Sequence, residues 1–170
     1  MIGALDDMNA MWAEWEDWFV EIEETHTSFP ILVFFRSPVP ERSWIASAGL
    51  ALDSASLYCS VLDFPREPRA QLMIRTGTLS LRRVCDFFGF AYDPAPSPTD
   101  EISITRAEFD VVIDRFVEAG LPLRPDRDQA WRDFAGWRVN YDRPLLSIAT
   151  YVDALRARGP RIDPELTRRR

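Results

Sequence analysis

Few residues in this chain are of the kind that do chemistry, and their spacing narrows what they can be. There is one histidine, His26. A catalytic base needs an orienting partner and a nucleophile within hydrogen-bond reach. Thr25, Thr27 and Ser28 are its neighbours in sequence, which is not a triad. Its place at the end of a helical pattern suits a ring bonded to the last helical carbonyls, or a pH-responsive group. Two cysteines, Cys59 and Cys85, fall inside apolar helical patterns with no CxxC pair. They read as buried thiols in a reducing compartment. One histidine and no cysteine pair leave no transition-metal ligand set. A Mg or Ca site would have to come from the acids between Glu14 and Glu24, which lack a DxDxDG loop and read as a solvated face. No P-loop, GxGxxG or GxSxG occurs, and the seven glycines are scattered. No catalytic, cofactor-binding or metal-ligating residue is therefore expected, and no cofactor.

The residue that demands an explanation is Asp53. It is the only charged residue between Trp44 and Leu62, in the middle of an apolar stretch. A buried carboxylate is costly unless it is paired and hydrogen-bonded. Arg36 is the nearest basic residue before it, so a structural brace between Asp53 and Arg36 is expected. Arg75 and Arg138, on or beside apolar stripes, are the other candidates. A ligand-binding Asp53 is the alternative.

The chain that must position these groups has 170 residues, which suits one domain with a real core. Hydrophobic residues at 46% and aromatics at 12% fit a globular protein. The net charge of -7 argues against a general nucleic-acid binder and against an anionic membrane surface. All basic residues are arginine, which reads as coding bias. No signal peptide is visible at the first residues. The best membrane-span candidate, residues 44 to 62, has Asp53 at its centre, which costs roughly 3 kcal/mol on insertion. A central core helix is the better reading, and the chain as given is expected to be soluble and cytoplasmic.

Residues 4 to 25 read as one acidic amphipathic helix. Leu5, Met8, Trp12, Trp15, Phe19 and Ile22 alternate in steps of three and four. This stripe suits packing on the domain. It also suits a self-association seam of Trp12, Trp15, Phe19 and Ile22. Thr25, Thr27 or Ser28 is placed to cap the next element. Residues 31 to 36 read as a short helix or a buried strand, with helix preferred for want of a pairing strand. An apolar helix follows over 41 to 62, and another over 67 to 88, stopped by Gly89. The Pro-rich stretch from 93 to 100 is a loop. Thr105 and Glu108 form a capping box for a helix ended by Gly120 and Pro122. Asp126 or Asp128 caps a last long helix, which Pro144 should kink or break near 140 to 143. Residues 158 to 170 read as a frayed tail. The fold expected is an all-α, single-domain bundle of about six helices: connector-like helix 1 to 25, core 26 to 157, then tail.

One longer pattern stands out. It comprises His26-Thr27-Ser28-Phe29-Pro30-Ile31-Leu32-Val33-Phe34-Phe35-Arg36-Ser37, then Ser43-Trp44 and Leu52-Asp53. Later come Arg82-Arg83, Asp86-Phe87-Phe88, Asp126 to Arg132, Trp137-Arg138 and Tyr141. Over roughly residues 12 to 150 this resembles the cytoplasmic C-terminal region of bacterial potassium-channel-like proteins, in which a two-helix pore module precedes a soluble helical domain. The resemblance implies a non-catalytic regulatory or assembly domain in ion transport, and a homo-oligomer (a tetramer if linked to a channel). It also implies a first helix continuous with the pore, its acids beneath a cation pathway. This sequence departs from the family in having no TVGYG-like filter loop and no transmembrane pair. It is thus expected to be a part separated from its pore module or a relative that lost it. Membrane association is expected only through such a module. No nucleic-acid partner and no direct membrane insertion are expected. The competing class is a stand-alone helical small-ligand binder or an enzyme of unknown substrate. A deep cavity at Asp53, Arg36 or His26 would favour that class, whereas a flat Trp-lined surface would favour the channel reading.

Overall fold

The computed structural model describes residues 2–29, 43–65 and 68–158, and in them the chain is all helical. Six helices follow in order: α1 (Ile2–Ser28), α2 (Trp44–Val61), α3 (Pro68–Phe88), α4 (Arg106–Glu118), α5 (Arg127–Arg138) and α6 (Asp142–Arg158). The expected short element at 31 to 36, with Arg36, and the tail from 159 onward lie outside the described residues. No helix among the described residues is long and apolar enough to cross a membrane.

Helix α1 is not a detached connector. It lies along α3 and belongs to the same core as α2 and α6. Trp12 and Phe19 are buried in their own chain, and Trp15 is half-buried. Of the four residues of the expected self-association seam, Trp12 and Phe19 thus pack within the chain, while Trp15 and Ile22 keep part of their surface exposed. The close approach is made at Gly77. A methyl group there would lie 2.8 Å from the Phe19 ring and 2.9 Å from Leu52. Absence of a side chain on α3 is thus what lets α1 and α2 press onto it, where even one added carbon would overpack the core.

Helix α1 also runs three residues beyond its expected end at 25. The Thr25 and Thr27 hydroxyls donate back to the Glu21 and Glu23 carbonyls, so they extend α1 rather than cap the next element. Elsewhere the local signals act as expected. Thr105 and Glu108 form the reciprocal capping box of α4. The Asp126 carboxylate accepts from the Asp128 and Gln129 amides at 3.0 and 2.9 Å to start α5. Gly89 and Gly120 adopt φ of +72° and +71° to close α3 and α4, with Phe90 N–H reaching Cys85 O and Leu121 N–H reaching Phe116 O. The break expected near Pro144 divides α5 from α6 at residues 139 to 141, and Pro144 falls in the first turn of α6, where its missing N–H costs nothing.

A second, smaller core joins the end of α2 to α4 and α5. Val61, Phe109, Ile113, Ala130 and Phe134 fill it. One antiparallel bridge, Leu62 to Leu123, ties the α2 exit to the chain entering α5.

Candidate functional site

The break between α5 and α6 brings Arg138, Tyr141 and Asp142 to face α2. Arg138 is the hub. Its Nη1 donates to the Asp53 carboxylate, its Nε to Asp142 Oδ1 at 2.9 Å, and its Nη2 to Ser103 Oγ at 3.2 Å. The Tyr141 hydroxyl is 2.9 Å from both Asp53 Oδ1 and Ser56 Oγ. A carboxylate only accepts, so Tyr141 donates to Asp53 and Ser56 donates to Tyr141. Ser103 closes the ring by donating its amide and its hydroxyl to Asp142, at 3.0 and 2.6 Å.

Arg138 and Asp142 side chains are 6% and 5% exposed, while Asp53 retains 26%. One guanidinium therefore serves two carboxylates in a largely dry setting. Burial pushes the Asp53 carboxyl above its ordinary range. Arg138 and the Tyr141 hydrogen bond pull it back only in part, and the second carboxylate, Asp142, opposes them. Burial works against the Arg138 charge, but the carboxylates outweigh it and hold that charge more firmly than usual. Burial carries Tyr141 well above an ordinary phenol.

Asp53 is thus braced by Arg138, one of the three candidates; Arg36 lies outside the described residues. Arg75, the third candidate, is exposed on α3. The i,i+4 spacing of Arg138 and Asp142 was a legible local signal. The contribution of Ser103, from the loop before α4, had none.

His26 is buried at the end of α1, its ring 4.5 Å from that of Trp44 at the start of α2. Its Nδ1–H donates to the Ile22 carbonyl at 2.8 Å, the helix-end bond expected. Burial lowers its pKa, against the opposing pull of that carbonyl. The ring is a neutral packing element between two helices.

A groove lies on the surface between α3 and α5. Trp137, Gln71 and Asn140 separate its two lobes. One lobe, about 460 Å³, adds Tyr58, Phe64, Arg124 and Arg132. The other, about 560 Å³, adds Leu72, Arg75, Leu79 and Arg82. Neither Asp53 nor His26 lines it. The sequence reading did not single out this groove, because its two walls are more than fifty residues apart. Cys59 lies at its edge and is half-buried, whereas burial pushes the enclosed Cys85 thiol up to about 12. No protein-family model, curated protein or solved structure matches this chain.

Proposed function

We propose that this chain is a non-catalytic cytoplasmic regulatory domain of a bacterial potassium-channel-like membrane protein. One observation carries the reading. Asp53 and Arg138, 85 residues apart, both belong to the channel-like pattern, and they meet in one buried network with a third pattern residue, Tyr141. A fourth, Arg82, donates to the Asn140 carbonyl at the turn that presents them. The pattern thus follows tertiary contacts, as the signature of a domain fold would. Its polar groups are taken up by one another, which favours a bracing role over a reactive one.

In this reading α1 is a lever and not an oligomer seam, since Trp12 and Phe19 face its own core. Motion of a preceding pore helix would pass through α1 to α3 at the Phe19–Gly77 contact. An antibody raised against this chain tests the proposal on fractionated cells of its source. The native polypeptide should sit in the membrane fraction with a mass larger than 170 residues by a pore module. A band at the chain's own mass, confined to the soluble fraction, overturns it. The groove at Trp137 favours a second reading, a stand-alone ligand-binding protein.

A further inference from the structure

The arginines among the described residues differ in what they meet. Arg69, Arg83, Arg106, Arg127 and Arg138 each meet a carboxylate. The four that line the Trp137 groove do not do so, or only weakly. Arg82 donates to the carbonyls of Asn140 and Pro94 and lies over the Tyr92 ring. Arg132 donates to the neutral side-chain oxygen of Gln129. Arg75 has no hydrogen bond or ion pair among the described residues. Arg124 donates to the Ser60 carbonyl, and its ion pair with Asp133 is long, at 3.9 Å. Exposed Arg115 and Arg143 also lack a carboxylate, but they are single residues on other surfaces.

Carboxylates are in excess, 27 against 20 arginines. Three guanidiniums that meet no carboxylate, Arg75, Arg82 and Arg132, and the loosely paired Arg124 line this groove against one lining carboxylate, Asp133, and form a local positive field on an acidic molecule. Between them stands Trp137, half-buried, with the exposed Leu72 and Leu79 on one side and the Tyr58 and Phe64 rings on the other. Either lobe has the volume of a small-molecule site. Guanidinium groups recognise carboxylate, sulfonate or phosphate oxygens, and an indole face accepts a flat ring.

We infer that the groove between α3 and α5 binds a small organic anion with a flat aromatic part. The ring packs against Trp137 with the Tyr58 and Phe64 rings, and the acidic group meets Arg132 in the same lobe. This inference rests on the groove alone and holds whether or not the chain is joined to a pore.

The test uses 1-anilinonaphthalene-8-sulfonate, a flat anion, beside its uncharged analogue N-phenyl-1-naphthylamine. The anion should bind the intact chain saturably at one site, about tenfold or more tighter than the neutral dye. Arg132→Gln should weaken it by about fivefold or more, whereas Arg75→Gln, in the other lobe, should leave it unchanged, and the melting temperature should hold in both because both side chains are exposed. The wild-type protein provides a readout free of substitutions. Cys59 edges the groove and Cys85 is buried, so bound anion should slow alkylation of Cys59 by iodoacetamide. Equal affinity for the two dyes, unchanged binding in the folded Arg132→Gln variant, a loss in Arg75→Gln as large as in Arg132→Gln, or an unprotected Cys59 at saturation each overturns the inference. So does failure of the anion to bind.

Discussion

Trp137 and Arg138 are neighbours on α5, and they serve opposite regions. On one face Arg138 is buried and shared by two carboxylates, a hydroxyl and, through Asp53, a tyrosine. On the other face Trp137 lies among arginines that meet neutral oxygens, nothing, or, for Arg124, a carboxylate only at 3.9 Å. The residue type is the same in both regions. What differs is whether the fold supplies the counter-charge. Where it does, arginine is a brace that a ligand cannot reach. Where it does not, the guanidinium keeps its capacity for a partner from outside, at little cost because it stays in water.

The largest expected effect falls on the hub. Arg138→Met keeps much of the volume and removes the charge. Asp53 and Asp142 are then left facing each other without a cation, a change of the kind that costs about 3–5 kcal/mol. That is a large part of the stability of a domain this size. Urea unfolding measures it. A loss near zero would mean that the network ornaments the α2–α5 junction and does not hold it.

Asp53→Asn should cost less, about 1–2 kcal/mol. Asp142 still neutralises Arg138, and the Asn side-chain oxygen still accepts from Tyr141. Sign matters here. Asp53 has a raised carboxyl pKa in the folded chain, so the native state takes up its proton at a higher pH than the unfolded state does. Its titration favours the fold at low pH, and that contribution is lost as pH rises through the folded pKa. The stability gap between wild type and Asp53→Asn should therefore widen as pH falls. A gap that narrows on acidification would show that the ionised Asp53 is the stabilising form, which reverses the balance drawn between burial and Arg138.

The two regions also differ in how far the sequence disclosed them. Three-and-four spacing marked the helices, and single residues marked their ends: Thr105 with Glu108, Asp126, Gly89 and the break before Pro144. Those signals are local, because each acts within one turn. An apolar stripe reports that a face is buried but not against what. That is why Trp12 and Phe19 read equally well as a seam between subunits, until Gly77 is seen to receive Phe19. Asp53 in an apolar run announced a partner. Identifying Arg138 as a partner required knowledge of a contact 85 residues away. The groove was the least legible part. Its arginines come together only where α3 and α5 lie side by side, which is a property of the folded surface.

His26 extends the contrast to a third case, a titratable group buried with no counter-charge among the described residues. Its contacts are the Ile22 carbonyl and the Trp44 ring, and burial lowers its pKa from 6.5. A lowered imidazole pKa means that the folded state binds this proton less readily than the unfolded state. The stabilisation is complete above about pH 6.5 and is lost as pH falls below it. The effect should be the smallest of the three, since a charged ring against Trp44 recovers some energy as a cation–π contact. His26→Gln keeps a side chain able to donate to Ile22 but removes the titration. Urea unfolding at pH 7.5, 6.5 and 5.5 should show wild type losing stability relative to this variant on acidification. A constant difference across that range would mean that the ring is open to water at the α1–α2 junction, and would place His26 with the exposed groups rather than with Arg138.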